Sequence, residues 1–90
     1  MKGEFVVVRA YGEEPKVLRI WEVRGDTALV SAPDQFAKLE SGAEALLPVG
    51  FPMQDVFQYD PKLEGEIASG KIEWQHLTPY TQKNKAREKA

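Results

Sequence analysis

Three short runs of β-branched and aromatic residues follow one another in the first third of the chain. They cover residues 5–11, 17–23 and 27–31, and the segments between them are rich in Gly, Glu, Asp and Pro. This composition is typical of turns rather than of helices or linkers. Connections this short join antiparallel neighbours. The sequence therefore predicts an antiparallel meander, the start of a small barrel or curled sheet.

The register of the first hairpin depends on the length of its loop. A five-residue connection places Tyr11 opposite Val17 and Arg9 opposite Arg19. A four-residue loop shifts the register by one residue and mixes the two faces. Both alternatives remain open at this point.

The second hairpin has a clearer turn. Gly25-Asp26 suits a two-residue loop of type II′, in which glycine comes first. The resulting pairs are Val23 with Ala28, Glu22 with Leu29, and Trp21 with Val30.

Both faces of this meander are apolar, whereas an antiparallel sheet with one wet face shows a clean alternation. One predicted face carries Phe5, Val7, Trp21, Val23, Ala28 and Val30, and the other carries Val6, Val8, Leu18, Ile20 and Leu29. The second face must be covered by return strands, by the C-terminal segment or by another copy of the chain.

The middle of the chain alternates between helix signals and strand signals. Ser31 is the predicted N-cap of a short helix over about residues 32–41 that stops at Gly42. The two prolines of residues 44–52 allow an edge strand but no central one. Residues 56–59 form a further predicted strand.

The last third begins with a second predicted helix. Asp60 caps it and Pro61 opens it, over about residues 61–69, and Gly70 ends it. Residues 71–77 alternate weakly, as an extended segment would. The fold class is α+β and β-rich, a curled antiparallel sheet or barrel of about five strands with two short helices. We predict one domain over residues 1–80 and a basic, disordered tail over residues 81–90.

Composition limits the functional classes. The chain has 90 residues, is 42% hydrophobic and 29% charged, and contains no cysteine, so disulfides and thiolate metal sites are excluded. The N-terminal apolar run is too short and too charged for a signal peptide or a membrane span. We therefore expect a cytoplasmic protein without membrane partners.

The charge distribution is uneven. Residues 1–70 contain 7 Lys/Arg and 12 Asp/Glu, a net charge of −5, whereas residues 71–90 contain 5 and 2, a net charge of +3. The basic residues of the tail, which could contact phosphates or an acidic protein surface, are Lys83, Lys85, Arg87 and Lys89. A general nucleic-acid-binding protein more often has a basic body as well.

Catalytic groups are scarce. The single histidine, His76, has no spacing partner for a metal, and it is interpreted as a partly exposed strand residue. Asp55, Asp60 and Glu64 could converge, but Asp60 already serves as a helix cap. The tripeptide at residues 24–26 matches a cell-adhesion motif and is interpreted as a turn. We predict no enzyme activity, no cofactor and no metal.

The candidate binding residues are arginines and aromatic residues. In the five-residue register Arg9, Tyr11, Arg19 and Trp21 share a face, which could stack on a base or hold an acidic group. The alternative is that Trp21 belongs to the core and both arginines turn to solvent or pair with glutamates, namely Glu13, Glu14 or Glu22. Trp74 could form a second apolar contact for a partner.

The order of strands resembles SH3-like small barrels of the KOW and Tudor kind. The resemblance covers residues 5–59 and rests on residues 17–30 and on the later Val56-Phe-Gln-Tyr59. The sequence departs from the KOW pattern at residues 9–12 and has no recognisable aromatic cage. The resemblance implies nucleic acid or a peptide as the ligand.

These observations favour a non-catalytic protein-interaction or regulatory module that could self-associate. The alternative is a small nucleic-acid-binding barrel that uses Arg9, Arg19, Trp21 and the basic tail. Salt separates the two hypotheses, because binding through phosphates weakens steeply as salt rises whereas an apolar contact tolerates it.

Overall fold

The computed structural model describes residues 2–81 and confirms an α+β, β-rich domain. The strands are β1 (Phe5–Arg9), β2 (Pro15–Arg24), β3 (Thr27–Ser31), β4 (Val49–Pro52) and β5 (Val56–Gln58). The α-helices are α1 (Pro33–Ser41) and α2 (Glu64–Ser69), and short 3-10 helices lie at Tyr11–Glu13, Met53–Asp55, Pro61–Leu63 and Trp74–His76. None of the helices in this part of the chain is long and apolar enough to cross a membrane.

The five strands form one antiparallel sheet in the order β4-β3-β2-β1-β5. Only Met53–Asp55 separates β4 from β5, although these strands are the two edges. Four Cα steps reach at most about 15 Å, whereas the edges of a flat five-stranded sheet lie about 19 Å apart. The sheet must therefore curl. It does not close, because β4 and β5 do not pair with each other.

The first hairpin corrects the predicted register. Arg9 pairs with Pro15 and Phe5 with Arg19, so Arg9 and Arg19 are not opposite each other. The connection does have five residues, 10–14, but it begins two residues earlier than predicted because β2 already starts at Pro15. Proline is acceptable as the first residue of a strand. Since the shift is even, the side chains of β1, and those of β2 as far as Ile20, stay on their predicted faces.

The second hairpin confirms the turn and adds a bulge. Arg24 pairs with Thr27 across Gly25-Asp26, and Gly25 has the positive φ of 57° that the first turn position of type II′ requires. The predicted pair of Trp21 with Val30 is wrong, because Val30 pairs with Ile20. Trp21 is the extra residue of a β-bulge. The bulge reverses the faces that follow it, so the prediction that Ala28 and Val30 share a face with Val7 is wrong, and they lie with Val6 and Val8.

The inner face of the curl holds the main core. Its fully buried aliphatic residues come from four strands, and Tyr80 reaches it from the C-terminal segment. The members of this cluster are Val6, Val8, Ile20, Ala28, Val30, Val56 and Tyr80, with Leu18, Phe51 and Met53 packed at its border. Residues of both edge strands meet here, which agrees with the curl.

The outer face carries a second core, as the apolar pattern required. Val7 and Phe57 are buried beneath Leu77. The partly buried residues around them are Tyr59, Leu63, Ile67, Ile72 and Trp74. The C-terminal segment therefore covers this face, which was one of the three predicted possibilities.

Both helices lie where the sequence placed them, but one cap differs. Ala32 occupies the N-cap of α1, and Ser31 is instead a buried residue at the end of β3. Gly42 ends α1 in the left-handed conformation, as predicted. Asp60 accepts a hydrogen bond from the Lys62 N–H at 3.0 Å, which confirms it as the cap of the second helical segment.

Candidate functional site

Arg9 lies in a stacked cluster on the outer face. Its guanidinium carbon is 5.4 Å from the ring centre of Phe57 and 5.3 Å from that of Trp74. Its Nε donates to Asp55 Oδ1 at 3.2 Å. Arginine stacks favourably on aromatic faces. The side chain is thus held by two rings of its own chain and one carboxylate.

Arg19 lies in a separate cluster near α1. Its guanidinium carbon is 4.1 Å from the Phe36 ring centre and 5.0 Å from that of Phe5, and its Nε donates to the Gly3 carbonyl at 3.0 Å. Trp21 meets Phe36 edge-on, with ring centres 5.5 Å apart. This cluster attaches α1 and the N-terminal residues to the sheet.

The five predicted binding residues do not form one surface. Arg9 lies with Trp74, Arg19 and Trp21 share Phe36, and Tyr11 projects alone from the first loop, fully exposed. The predicted glutamate partners of the two arginines are wrong for Arg9, which pairs with Asp55. The predicted tail contacts Lys83, Lys85, Arg87 and Lys89 lie outside the described residues.

The candidate catalytic groups each have a separate structural contact. Asp55 binds Arg9, Asp60 caps a helix, and Glu64 accepts a hydrogen bond from the Tyr59 hydroxyl at 2.6 Å. His76 is in a 3-10 helix and not in a strand, with its Nε2 3.5 Å from Glu73. Over residues 2–81, no three His, Asp or Glu side chains are grouped to hold a metal.

The titration of Tyr59 is shifted by its surroundings. The hydrogen bond that it donates to Glu64 raises the pKa of Tyr59 above its ordinary value, and partial desolvation and the charges of Glu64 and Asp60 act in the same direction. This bond joins the end of β5 to the start of α2, because Glu64 is the first residue of that helix.

An apolar groove of about 250 Å³ lies at the β4 end of the sheet. Its floor includes Val30 and Phe51, and one rim consists of Leu46, Leu47 and Val49. These rim side chains are 73%, 82% and 58% exposed. The other lining residues are Leu18, Ser31, Ala32 and Gln35. The groove is therefore an exposed apolar surface beside the core.

Local structure holds the groove rim in place. Gly42 ends α1, and the chain then runs to β4 without regular secondary structure. The Leu46 N–H donates to Gln35 Oε1 at 2.9 Å, which ties the rim to α1. The rim was missed as a candidate site. Its sequence signal is a stretch of ten residues, 45–54, that contains no charge although it is flanked by Glu44 and Asp55.

The backbone of β4 presents few donors to solvent. The Met53 N–H donates to the Asp26 carbonyl, so residues of odd number in this strand direct their N–H toward β3. The outward positions are therefore Pro48, Gly50 and Pro52. Proline has no N–H. Gly50 carries the single outward donor between residues 48 and 52.

The edge at β5 is covered instead. The Gln58 N–H donates to the Thr78 carbonyl at 2.8 Å, and the Tyr80 N–H donates to the Val56 carbonyl at 3.0 Å. Between them, Phe57 and Pro79 form an antiparallel bridge. Residues 78–80 thus act as a short sixth pairing segment.

Comparison of the chain with protein-family models, with curated proteins and with solved structures found no match. The SH3-like resemblance stays a prediction at the level of strand order.

Proposed function

We propose that this chain is a non-catalytic protein-interaction domain and that the groove beside β4 is its binding surface. The observation that carries the proposal is the exposure of Leu46, Leu47 and Val49 side by side along an apolar hollow. Contiguous exposed apolar patches on small domains are typical of interaction sites. The rim has a defined position, because the Leu46 N–H donates a hydrogen bond to Gln35 Oε1.

The distribution of titratable groups supports the non-catalytic part of the proposal. Asp55, Asp60 and Glu64 are bound to three different partners rather than directed at one point. A general acid or base needs a position within reach of a reacting atom in a protected site. His76 is exposed and lies beside Glu73 on the surface.

A nucleic-acid ligand, the alternative, has less support. The guanidinium groups of Arg9 and Arg19 already stack on rings of this chain and bind oxygens of Asp55 and Gly3. Residues 2–81 contain 8 Lys/Arg and 13 Asp/Glu, so this body repels phosphates. An apolar contact with a protein is therefore the stronger proposal.

The test is affinity capture from native lysate with three baits, each run with and without nuclease. Leu47→Asp places a charge on the groove rim, and Tyr11→Asp places the same charge on the fully exposed first loop as a matched control. We expect wild type and Tyr11→Asp to retain the same proteins after nuclease treatment, and Leu47→Asp to lose them. Capture that disappears with nuclease and is indifferent to Leu47→Asp would instead favour the nucleic-acid alternative.

A further inference from the structure

We infer that the groove beside β4 binds a second copy of this chain, which makes the protein a two-fold symmetric dimer held by side-chain packing. This inference rests on the proposed function and specifies its partner. Three features of the molecule point to a second copy: the shape of the groove, the state of the two sheet edges and the distribution of charge.

The groove carries both a ridge and a hollow. Leu46 and Leu47 project as the ridge, whereas Val30 on the floor is only 1% exposed. In a two-fold pair the same patch serves on both subunits, so it must be complementary to itself. A ridge beside a hollow satisfies this requirement, because the Leu46–Leu47 ridge of each copy can enter the hollow of the other.

Two copies can approach here without repulsion between like charges. Residues 45–54 contain no charged side chain. By contrast, α1 and the chain that follows it carry Asp34, Lys38, Glu40 and Glu44. The uncharged stretch coincides with β4 and the rim of the groove, and charge returns on either side of it.

The edge backbone limits how the copies can pair. In an antiparallel β4–β4 contact centred on Gly50, each Gly50 N–H can donate to the Gly50 carbonyl of the other copy. The next outward positions are Pro48 and Pro52, which have no N–H to donate. A continuous ten-stranded ladder is therefore disfavoured, and side chains must supply most of the contact.

The other edge disfavours an open assembly. Pairing of β4 with β5 of a neighbour would generate a head-to-tail chain of subunits. Residues 78–80 already occupy the backbone of β5. The symmetric β4–β4 arrangement remains, and it closes after two copies.

Charge supplies a second attraction between copies. Residues 2–81 have a net charge of −5, whereas residues 82–90 contain four Lys/Arg and one Glu, a net charge of +3. In a pair, the basic residues 82–90 of each copy can attract the acidic residues 2–81 of the other. Opposite charges on the two partners raise the association rate, and salt weakens this attraction.

The experiment is sedimentation analysis of the full chain across a concentration series, at low and high salt. We expect a monomer–dimer equilibrium with a dissociation constant on the order of micromolar, because small interfaces bind weakly. Leu47→Asp should raise this constant at least about tenfold, since it buries a charge in an apolar contact. Tyr11→Asp should leave it unchanged, and higher salt should raise it modestly.

A second measurement locates the interface in the wild-type protein. On dilution, the backbone amide resonances of Leu46, Leu47 and residues 49–51 should shift, and those around Arg9 should not. A thermal unfolding curve of Leu47→Asp verifies that the variant is folded, which the 82% exposure of Leu47 leads us to expect.

Several outcomes would overturn the inference. These are a monomer at every concentration, a dimer indifferent to Leu47→Asp, an equal loss in Tyr11→Asp, or oligomers that grow beyond two. If the chain is monomeric but the wild-type groove still captures a different protein in a Leu47-dependent manner, the dimer is wrong and the proposed function stands. If neither a second copy nor another protein binds, both fail.

Discussion

The two edges of this sheet prevent uncontrolled strand pairing by different means. At β5, residues 78–80 satisfy the edge backbone directly. At β4, two of the three outward positions are occupied by Pro48 and Pro52, so the edge offers few donors while apolar side chains remain exposed beside it. Natural sheets use both devices. The covering segment adds buried contacts at β5, whereas the prolines at β4 limit strand pairing and leave apolar side chains exposed.

Removal of the covering segment should have the largest effect. A chain that ends at Tyr59 loses Leu77 and Tyr80 and exposes Val7 and Phe57. Each large side chain lost from a core removes about 1.5–3 kcal/mol of burial, and a small domain has only about 5–15 kcal/mol in total. We expect the truncated chain to unfold or associate in chemical denaturation and sedimentation experiments.

The control for this truncation is a chain that ends at Thr81, which keeps every covering residue in the described part. At a concentration where the chain is monomeric, it should unfold at a much higher denaturant concentration than the chain that ends at Tyr59. A monomeric Tyr59-terminated chain of undiminished stability would contradict the role given to the covering segment.

The same leucine-to-alanine substitution should have opposite effects at the two edges. Leu77 is 5% exposed and packs on the outer face, whereas Leu47 is 82% exposed on the groove rim. Leu77→Ala should lower the free energy of unfolding by about 2–5 kcal/mol, and Leu47→Ala should change it by no more than about 0.5 kcal/mol. The dissociation constant of the dimer should show the reverse order, with a larger change in Leu47→Ala than in Leu77→Ala. Urea denaturation at a concentration where the chain is monomeric separates the two effects.

A smaller effect is expected on the β4 side of the sheet, where β3 passes into α1. The Ser31 hydroxyl is buried and finds no hydrogen-bond partner among residues 2–81. Ser31→Ala should therefore raise the free energy of unfolding, by on the order of 1 kcal/mol. Ala32→Ser should add about 1 kcal/mol, because it supplies the missing side-chain cap of α1. A loss of stability in thermal melts of either variant would contradict this account.

The smallest effect concerns pH at the β5 side. The pKa of Tyr59 is raised in the folded state, so its hydrogen bond to Glu64 stabilises the fold below the ordinary tyrosine pKa of about 10. This contribution is lost as pH rises through the folded pKa. Glu64→Gln should lower the pKa of Tyr59 in a spectrophotometric titration, with Tyr59→Phe identifying the signal. An unchanged titration in Glu64→Gln would refute the cause assigned to the shift.

Local chemistry made much of the fold predictable. The Gly25-Asp26 turn, the stop at Gly42 and the cap at Asp60 each depend on residues adjacent in sequence, and the structure confirms all three. The register predicted for the first hairpin was wrong, because its five-residue loop was placed two residues too late in the chain. Pro15 could end the turn or begin the strand, and only the pairing with Arg9 decides between them.

The candidate surface was less predictable than the fold. Whether Arg9 faces a ligand or its own chain depends on Asp55 and Trp74, which lie 46 and 65 residues further along. Such contacts follow from tertiary packing and leave no local pattern. Leu46 and Leu47 were overlooked for a related reason, since an apolar pair predicts burial unless the fold leaves it uncovered.

The bulge at Trp21 reverses which residues of β2, the even-numbered or the odd-numbered, face the inner core. Before it, even-numbered residues such as Ile20 face the inner core, and after it Val23 takes that side opposite Ala28. Deletion of Trp21 or Glu22 would leave one residue between Ile20 and Val23. These two side chains would then still point to the same face of a regular strand. Elsewhere in β2 the same deletion would turn every following side chain to the wrong face. The bulge is thus the place where β2 can lose one residue while the side chains on either side of the deletion keep their faces.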